Sequence, residues 1–173
     1  QPSKSIVIGS SNRHNRVEQK KIEFFEKKIL YISTNLYKGN LGSFSSCVND
    51  LNQCKDEIYI LEKILNKINF NVVYKTYPEI NRRYIDTDPA ITKCKELKNL
   101  DIIEDKIDLR YIIDKYNILI SSGATSTLGW LMMSNLPIIF INNSNRLPLK
   151  TELINSFKDS VFYFELAEHD IVD

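Results

Sequence analysis

Residues 117–141 read NILISSGATSTLGWLMMSNLPIIFI: two apolar runs around a small, hydroxyl-rich core, SSGATST. Ile118, Leu119 and Ile120 form a short continuous apolar run, which suits a strand buried on both faces. Leu128 to Met133 reads as a buried helix. Leu136 to Ile141, opened by Pro137, reads as a second buried strand. Strand, turn, helix and strand in this order make a βαβ unit, which implies parallel strands. The small residues fall where the first strand ends and the helix begins. A helix N-terminus there offers unpaired N–H groups and the positive end of the helix dipole. Gly123 and Ala124 let a ligand approach the backbone, and Ser122, Thr125, Ser126 and Thr127 add hydroxyl donors. Such a turn suits a phosphate. The same residues also fit a plainer role, with Ser126 or Thr127 capping the helix and Gly123 making a tight turn. No Gly-Lys-Ser/Thr follows, so the turn is not a P-loop.

Working outward, the chain has 173 residues, the size of one domain, and 43% of them are apolar, enough for a core. A formal net charge of +1 gives no electrostatic sign of a nucleic-acid partner. No run reaches the apolar length needed to cross a bilayer. Cys47, Cys54 and Cys94 are odd in number and widely spaced, which fits a reducing compartment better than a disulfide framework. His14 and His169 do not make a zinc cluster, and no metal is expected. The chain opens on Gln1 rather than Met, and we expect a fragment of a longer protein, with residues 1–173 forming a single domain.

Other segments repeat the alternation. SIVIG (5–9), KILYIST (28–34), Phe70 to Tyr74, Leu100 to Ile103 and Val161 to Phe164 read as strands. Lys55 to Lys67 places Ile58, Leu61, Ile64, Leu65 and Ile68 at helical spacing. Leu109 to Lys115 and Leu149 to Phe157 read as helices, Val17 to Lys27 as a helix or linker, Leu36 to Asn49 as a long loop and Lys75 to Pro89 as a charged loop. The fold class is therefore α/β: a Rossmann-like, three-layer α/β/α domain with a mostly parallel sheet. KILYIST, NVVYK, NILIS and LPIIFI lack alternation and should form its centre. In such folds ligands sit beyond the carboxyl ends of the strands. The segments there are SSNR, STN, KTYPEINRR and SSGATST.

Four stretches, IVIGSSNRHNR from Ile6, KKILYISTN from Lys27, NVVYKTYP from Asn71 and LRYIIDKYNILISSGATSTLGWLMMSNLPIIFI from Leu109, carry a resemblance in their order and spacing. Together they resemble the C-terminal, donor-nucleotide half of GT-B-type surface-polysaccharide transferases, close to CDP-glycerol glycerophosphotransferase-like enzymes. The resemblance implies one half of a GT-B fold, with the acceptor domain absent and the isolated chain inactive. It implies a nucleotide-activated donor, CDP-glycerol or a nucleotide sugar, as substrate, and no cofactor. It implies a cytoplasmic location, and leaves peripheral association of the full-length protein with the inner face of the membrane open. Ser122, Gly123, Thr125, Ser126 and Thr127 would then surround the donor phosphate, Lys75 would supply a point charge, and Thr34 would add a hydroxyl. Arg13 and Arg82 are secondary candidates. Lys75 also fits a solvated lysine at a strand end. Tyr77-Pro78 stands where the family has His-Pro, and Gly129-Trp130 stands where GT-B enzymes often bring a Glu to the ribose. Two other functions remain open: a sugar-nucleotide epimerase-like domain, and a degenerate, non-catalytic GT-B module. Catalytic residues are not identified by the sequence.

Overall fold

A computed structural model describes residues 27–33, 50–77, 87–144 and 148–166. The strands are β1 (Lys28–Ile32), β2 (Asn71–Lys75), β3 (Leu100–Ile103), β4 (Ile118–Ser121), β5 (Ile138–Asn142) and β6 (Phe162–Glu165). The α-helices are α1 (Asp50–Tyr59), α2 (Pro89–Glu96), α3 (Ser126–Met132) and α4 (Thr151–Ser160). The strands form one six-stranded sheet in the order β3-β2-β1-β4-β5-β6, and every pairing is parallel. This is the doubly wound, Rossmann-like order, which reverses direction between β1 and β4. The four apolar segments expected at the centre are β2, β1, β4 and β5, and they occupy it.

Both faces of the sheet are buried, which explains why these strands read as continuous apolar runs. On β1, Ile29 and Tyr31 enter one core cluster, and Leu30 and Ile32 enter the other. The first cluster lies under α1 and α2, through Cys54, Ile60, Leu61, Leu65, Ile91 and Cys94. The second lies under α3, through Leu128 and Leu131, and is joined by Phe157 of α4. The sheet is thus the middle of three layers.

Several local expectations change. The helix after β1 begins at Asp50, and after Tyr59 it continues as a π-helical turn (Ile60–Ile64) and a 3-10 turn (Leu65–Lys67). Leu109 to Lys115 is two short 3-10 turns, 109–111 and 113–115, rather than one helix. Helix α2 was missed, although its start is written in the sequence. Asp88 caps it by accepting from the Ala90 N–H at 2.8 Å, and Pro89 occupies the first turn, where a missing N–H costs nothing. The expected strand at 5–9 and the segment 17–26 lie outside the described residues.

Leu30 is fully buried in a central strand. Leu30→Ala should lower unfolding free energy by about 2–5 kcal/mol. Urea titration followed by circular dichroism would measure this, and a loss below that range would show that Leu30 does not anchor the core.

Candidate functional site

The strand order reverses between β1 and β4, where doubly wound folds open a crevice at the carboxyl ends of their strands, and SSGATST begins there. Its first residue, Ser121, ends β4 and is fully buried. The Ser121 hydroxyl donates to the Gly123 carbonyl at 3.2 Å and accepts from the Gly123 N–H at 3.5 Å. This side chain shapes the turn from below. Ala124, Thr125 and Ser126 are exposed, and Thr127 is half-buried. The helix cap is Thr125, in extended conformation, and its side chain makes no capping hydrogen bond. Neither Ser126 nor Thr127 is the cap, because both already lie inside α3.

On the α1 side of the sheet, the crevice is floored by buried polar groups. Tyr31 and Tyr74 are register partners on β1 and β2, and their rings stack with centroids 5.6 Å apart. The Tyr31 hydroxyl is 3.0 Å from Ser122 Oγ, so this bond bridges β1 and the turn after β4. The charge of Glu57, on α1, acts on both phenols, and Tyr74 hydrogen-bonds Ser33, the residue after β1. Asn143, just beyond β5, donates from Nδ2 to Asp56 Oδ2 at 2.7 Å. Asp56 and Glu57 are both buried. Burial, followed by the charge of Glu57, pushes both phenols well above their usual range.

Lys75 lies on the other side of β1 from the turn. It is 3% exposed, and its Nζ donates to the Thr76 carbonyl at 3.0 Å and the Asp105 carbonyl at 2.8 Å. The ammonium thus ties the end of β2 to the segment after β3. Burial lowers its pKa, while Asp105 acts in the opposite sense. It is not the solvated lysine that its position at a strand end suggested. Thr34, Arg13 and Arg82 lie outside the described residues. Of the expected site residues, the structure therefore brings together Ser122, Gly123, Thr125, Ser126 and Thr127, and it turns the Lys75 ammonium toward β3.

Trp130 is half-buried, with the Arg110 guanidinium 5.1 Å from its ring centroid. Arg110 is held in turn by both carboxylate oxygens of Asp108. At Gly129 a Cβ would meet nothing within 4 Å, so this face of α3 stands open. At the end of β6, Glu165 accepts from Asn142 Nδ2 at 3.0 Å and from the Tyr163 hydroxyl. Burial acts to raise its pKa, but hydrogen bonds from Ser144, Tyr163 and Asn142 hold it below the usual carboxylate value. Among the described residues, no group of three or more His, Cys, Asp or Glu could hold a metal ion, and no helix is long and apolar enough to cross a membrane.

Tyr31, Asp56, Glu57 and Asn143 escaped the sequence reading. One signal was present: Glu57 stands four residues before Leu61 and eight before Leu65, in the apolar stripe of the helix. A carboxylate on that stripe must be buried beside polar partners. Nothing local announces Asn143, because its partner is 87 residues away.

Comparison with known proteins finds no matching family, no matching curated relative and no matching solved structure.

Two outcomes are expected from this geometry. Lys75→Met keeps the buried stem but removes both hydrogen bonds, and should lower stability by about 1–3 kcal/mol. Denaturant midpoints would show the loss, and an unchanged midpoint would contradict the strap. The second outcome concerns alkaline pH. Tyr31 and Tyr74 hold their protons more tightly in the fold than in the unfolded chain, where a phenol titrates near pH ~10. Above that pH the folded state binds more protons, so stability is complete below it and falls as pH rises. Cys94, pushed up to about 11 mainly by burial, adds to the fall. Urea midpoints between pH 8 and 11 should decline in this sense, and Tyr31→Phe should flatten the decline.

Proposed function

We propose that the chain is the donor-nucleotide-binding domain of a surface-carbohydrate glycosyltransferase or glycerophosphotransferase, working with an acceptor-binding domain across a cleft. One observation carries the reading. SSGATST lies at the carboxyl end of β4, beside β1, where a doubly wound sheet reverses its order and where such folds take their ligands. The resemblance in motif order supports the same reading. The turn has the chemistry for a phosphate: exposed hydroxyls on Thr125 and Ser126, small residues before them, and backbone N–H groups opening α3 that Thr125 does not cap with its side chain. The leaving group of a transfer reaction is a nucleoside mono- or diphosphate, whose growing negative charge is stabilised by fixed donors of this kind. Lys75 has no part in this scheme, since its ammonium is engaged at the β3 side. The acceptor, with any group that activates it, belongs to the partner domain.

Calorimetry with CDP, UDP and GDP tests the reading. The chain should bind at least one of them, without transfer activity on its own. A hydrogen bond to a charged group contributes roughly 1.5–3 kcal/mol, so Ser126→Ala or Thr127→Val should weaken binding by about ten- to a hundredfold with little change in thermal midpoint. Lys75→Met should change the midpoint and leave affinity alone. Absence of binding to all three nucleotides at millimolar concentration would overturn the reading in favour of a non-catalytic module.

A further inference from the structure

Strand β6 ends the sheet, and among the described residues no strand lies on its outer side. An edge strand offers a row of open N–H and C=O groups, which natural proteins guard with charge, proline or a bulge. The other edge, β3, carries the exposed Asp101. β6 reads FYFE, and its one charge, Glu165, is engaged by Asn142 and Tyr163. Phe162 is 62% exposed and Phe164 is 56% exposed. Both share a face with Leu166, which packs in the core under α1 and α2, whereas Tyr163 packs on the α4 side. Backbone direction alternates as well. The Leu166 N–H donates inward to the Asn142 carbonyl, so Phe164 and Phe162 also bond toward β5. Tyr163 and Glu165 therefore turn their N–H and C=O groups outward. Val161 would be the next outward residue, but its N–H already donates to the Phe157 carbonyl.

We infer that this edge joins two copies of the chain, with β6 pairing antiparallel to β6 of a second copy across a two-fold axis. Such an interface uses the same patch on both copies. The outward groups select the register. Tyr163 stands opposite Glu165 of the second copy, Glu165 stands opposite Tyr163 of the second copy, and each pair exchanges two backbone hydrogen bonds. Setting Tyr163 on Tyr163 would bring Glu165 against Val161, whose N–H is taken. Setting Glu165 on Glu165 would place like charges opposite each other. In the selected register Phe164 meets Phe164 on the axis and Phe162 comes beside Leu166, so apolar residues face apolar residues. On the other face, the Lys158 ammonium lies 5.5 Å from the centre of its own Tyr163 ring. The Glu165 carboxylate of the second copy stands opposite that ring, so the two copies are complementary in charge. The phenylalanines of both copies supply roughly 350–600 Å² of exposed aromatic area. A stable dimer buries about 1,200 Å² or more, so this pairing is reversible and depends on concentration. β6 lies two strands from β4, so SSGATST takes no part, and the inference stands apart from the proposed function.

Sedimentation velocity of the 173-residue chain, from micromolar to millimolar concentration, should show a monomer passing reversibly to a dimer. Phe164→Lys sets two ammonium groups opposite each other on the axis and should raise the dimer dissociation constant about tenfold or more. Phe164 is exposed, so the thermal midpoint of the monomeric variant should match that of wild type at low concentration. Lys158→Glu should weaken the dimer, and adding Glu165→Lys should restore it. Cross-linking reads the register directly, with wild type as the background for the native cysteines. Phe164→Cys should give a covalent dimer under mild oxidation, because opposed residues of a non-hydrogen-bonded pair have Cα atoms about 4.5 Å apart, within disulfide reach. Phe162→Cys should not, since its symmetry mate is displaced along the strand by roughly 13 Å. A wild type that stays monomeric throughout the range would overturn the inference. So would a dimer that tolerates Phe164→Lys, or cross-linking at 162 in place of 164.

Discussion

The pairing of β1 with β4, Ile29 to Ile32 against Ile118 to Ser121, is the constraint on which the rest of the structure depends. It joins β1, β2 and β3 to β4, β5 and β6 at the centre of one parallel sheet. Parallel strands cannot be joined by tight hairpins, so each connection must cross a face of the sheet. The connecting helices α1 and α2 pack on one face, and α3 packs on the other with Phe157 of α4. Adjacent strands whose connections leave in opposite directions part at their carboxyl ends. The crevice is a consequence of topology before any side chain fills it.

What fills it is polar and largely buried, and this carries a cost. Desolvating two carboxylates and two phenols opposes folding unless hydrogen bonds and packing offset it. Part of the offset is visible. Tyr31 and Tyr74 stack and bury almost all of their rings, and their hydroxyls reach Ser122 and Ser33. Asp56 accepts from Asn143. A helix serving only to cover the sheet could carry apolar residues at 56 and 57 instead.

The site was legible in unequal parts. SSGATST stood out because small and hydroxyl residues interrupt two apolar runs, a contrast visible within a short window. Lys75 was misleading for the same local reason. A lysine closing an apolar strand looks like a free charge, yet its long stem bends back to two carbonyls, one of them on Asp105. The plainer role, in which Ser126 or Thr127 caps α3, falls one or two residues late, since several neighbouring hydroxyls compete for that position and only backbone conformation separates Thr125 from Ser126.

By itself, the sequence determined the class of fold and the identity of the central strands. Burial on both faces forces unbroken apolar runs, and such runs are a local property of the chain. It also determined where small residues open the backbone after β4. The tertiary structure alone decided which strands became neighbours and which polar groups met above them. Tyr31 and Ser122 are 91 residues apart, and Asp56 and Asn143 are 87 apart. Periodicity and turn chemistry report on neighbours along the chain, whereas the sense of a hydrogen bond depends on a partner that only the packed sheet supplies.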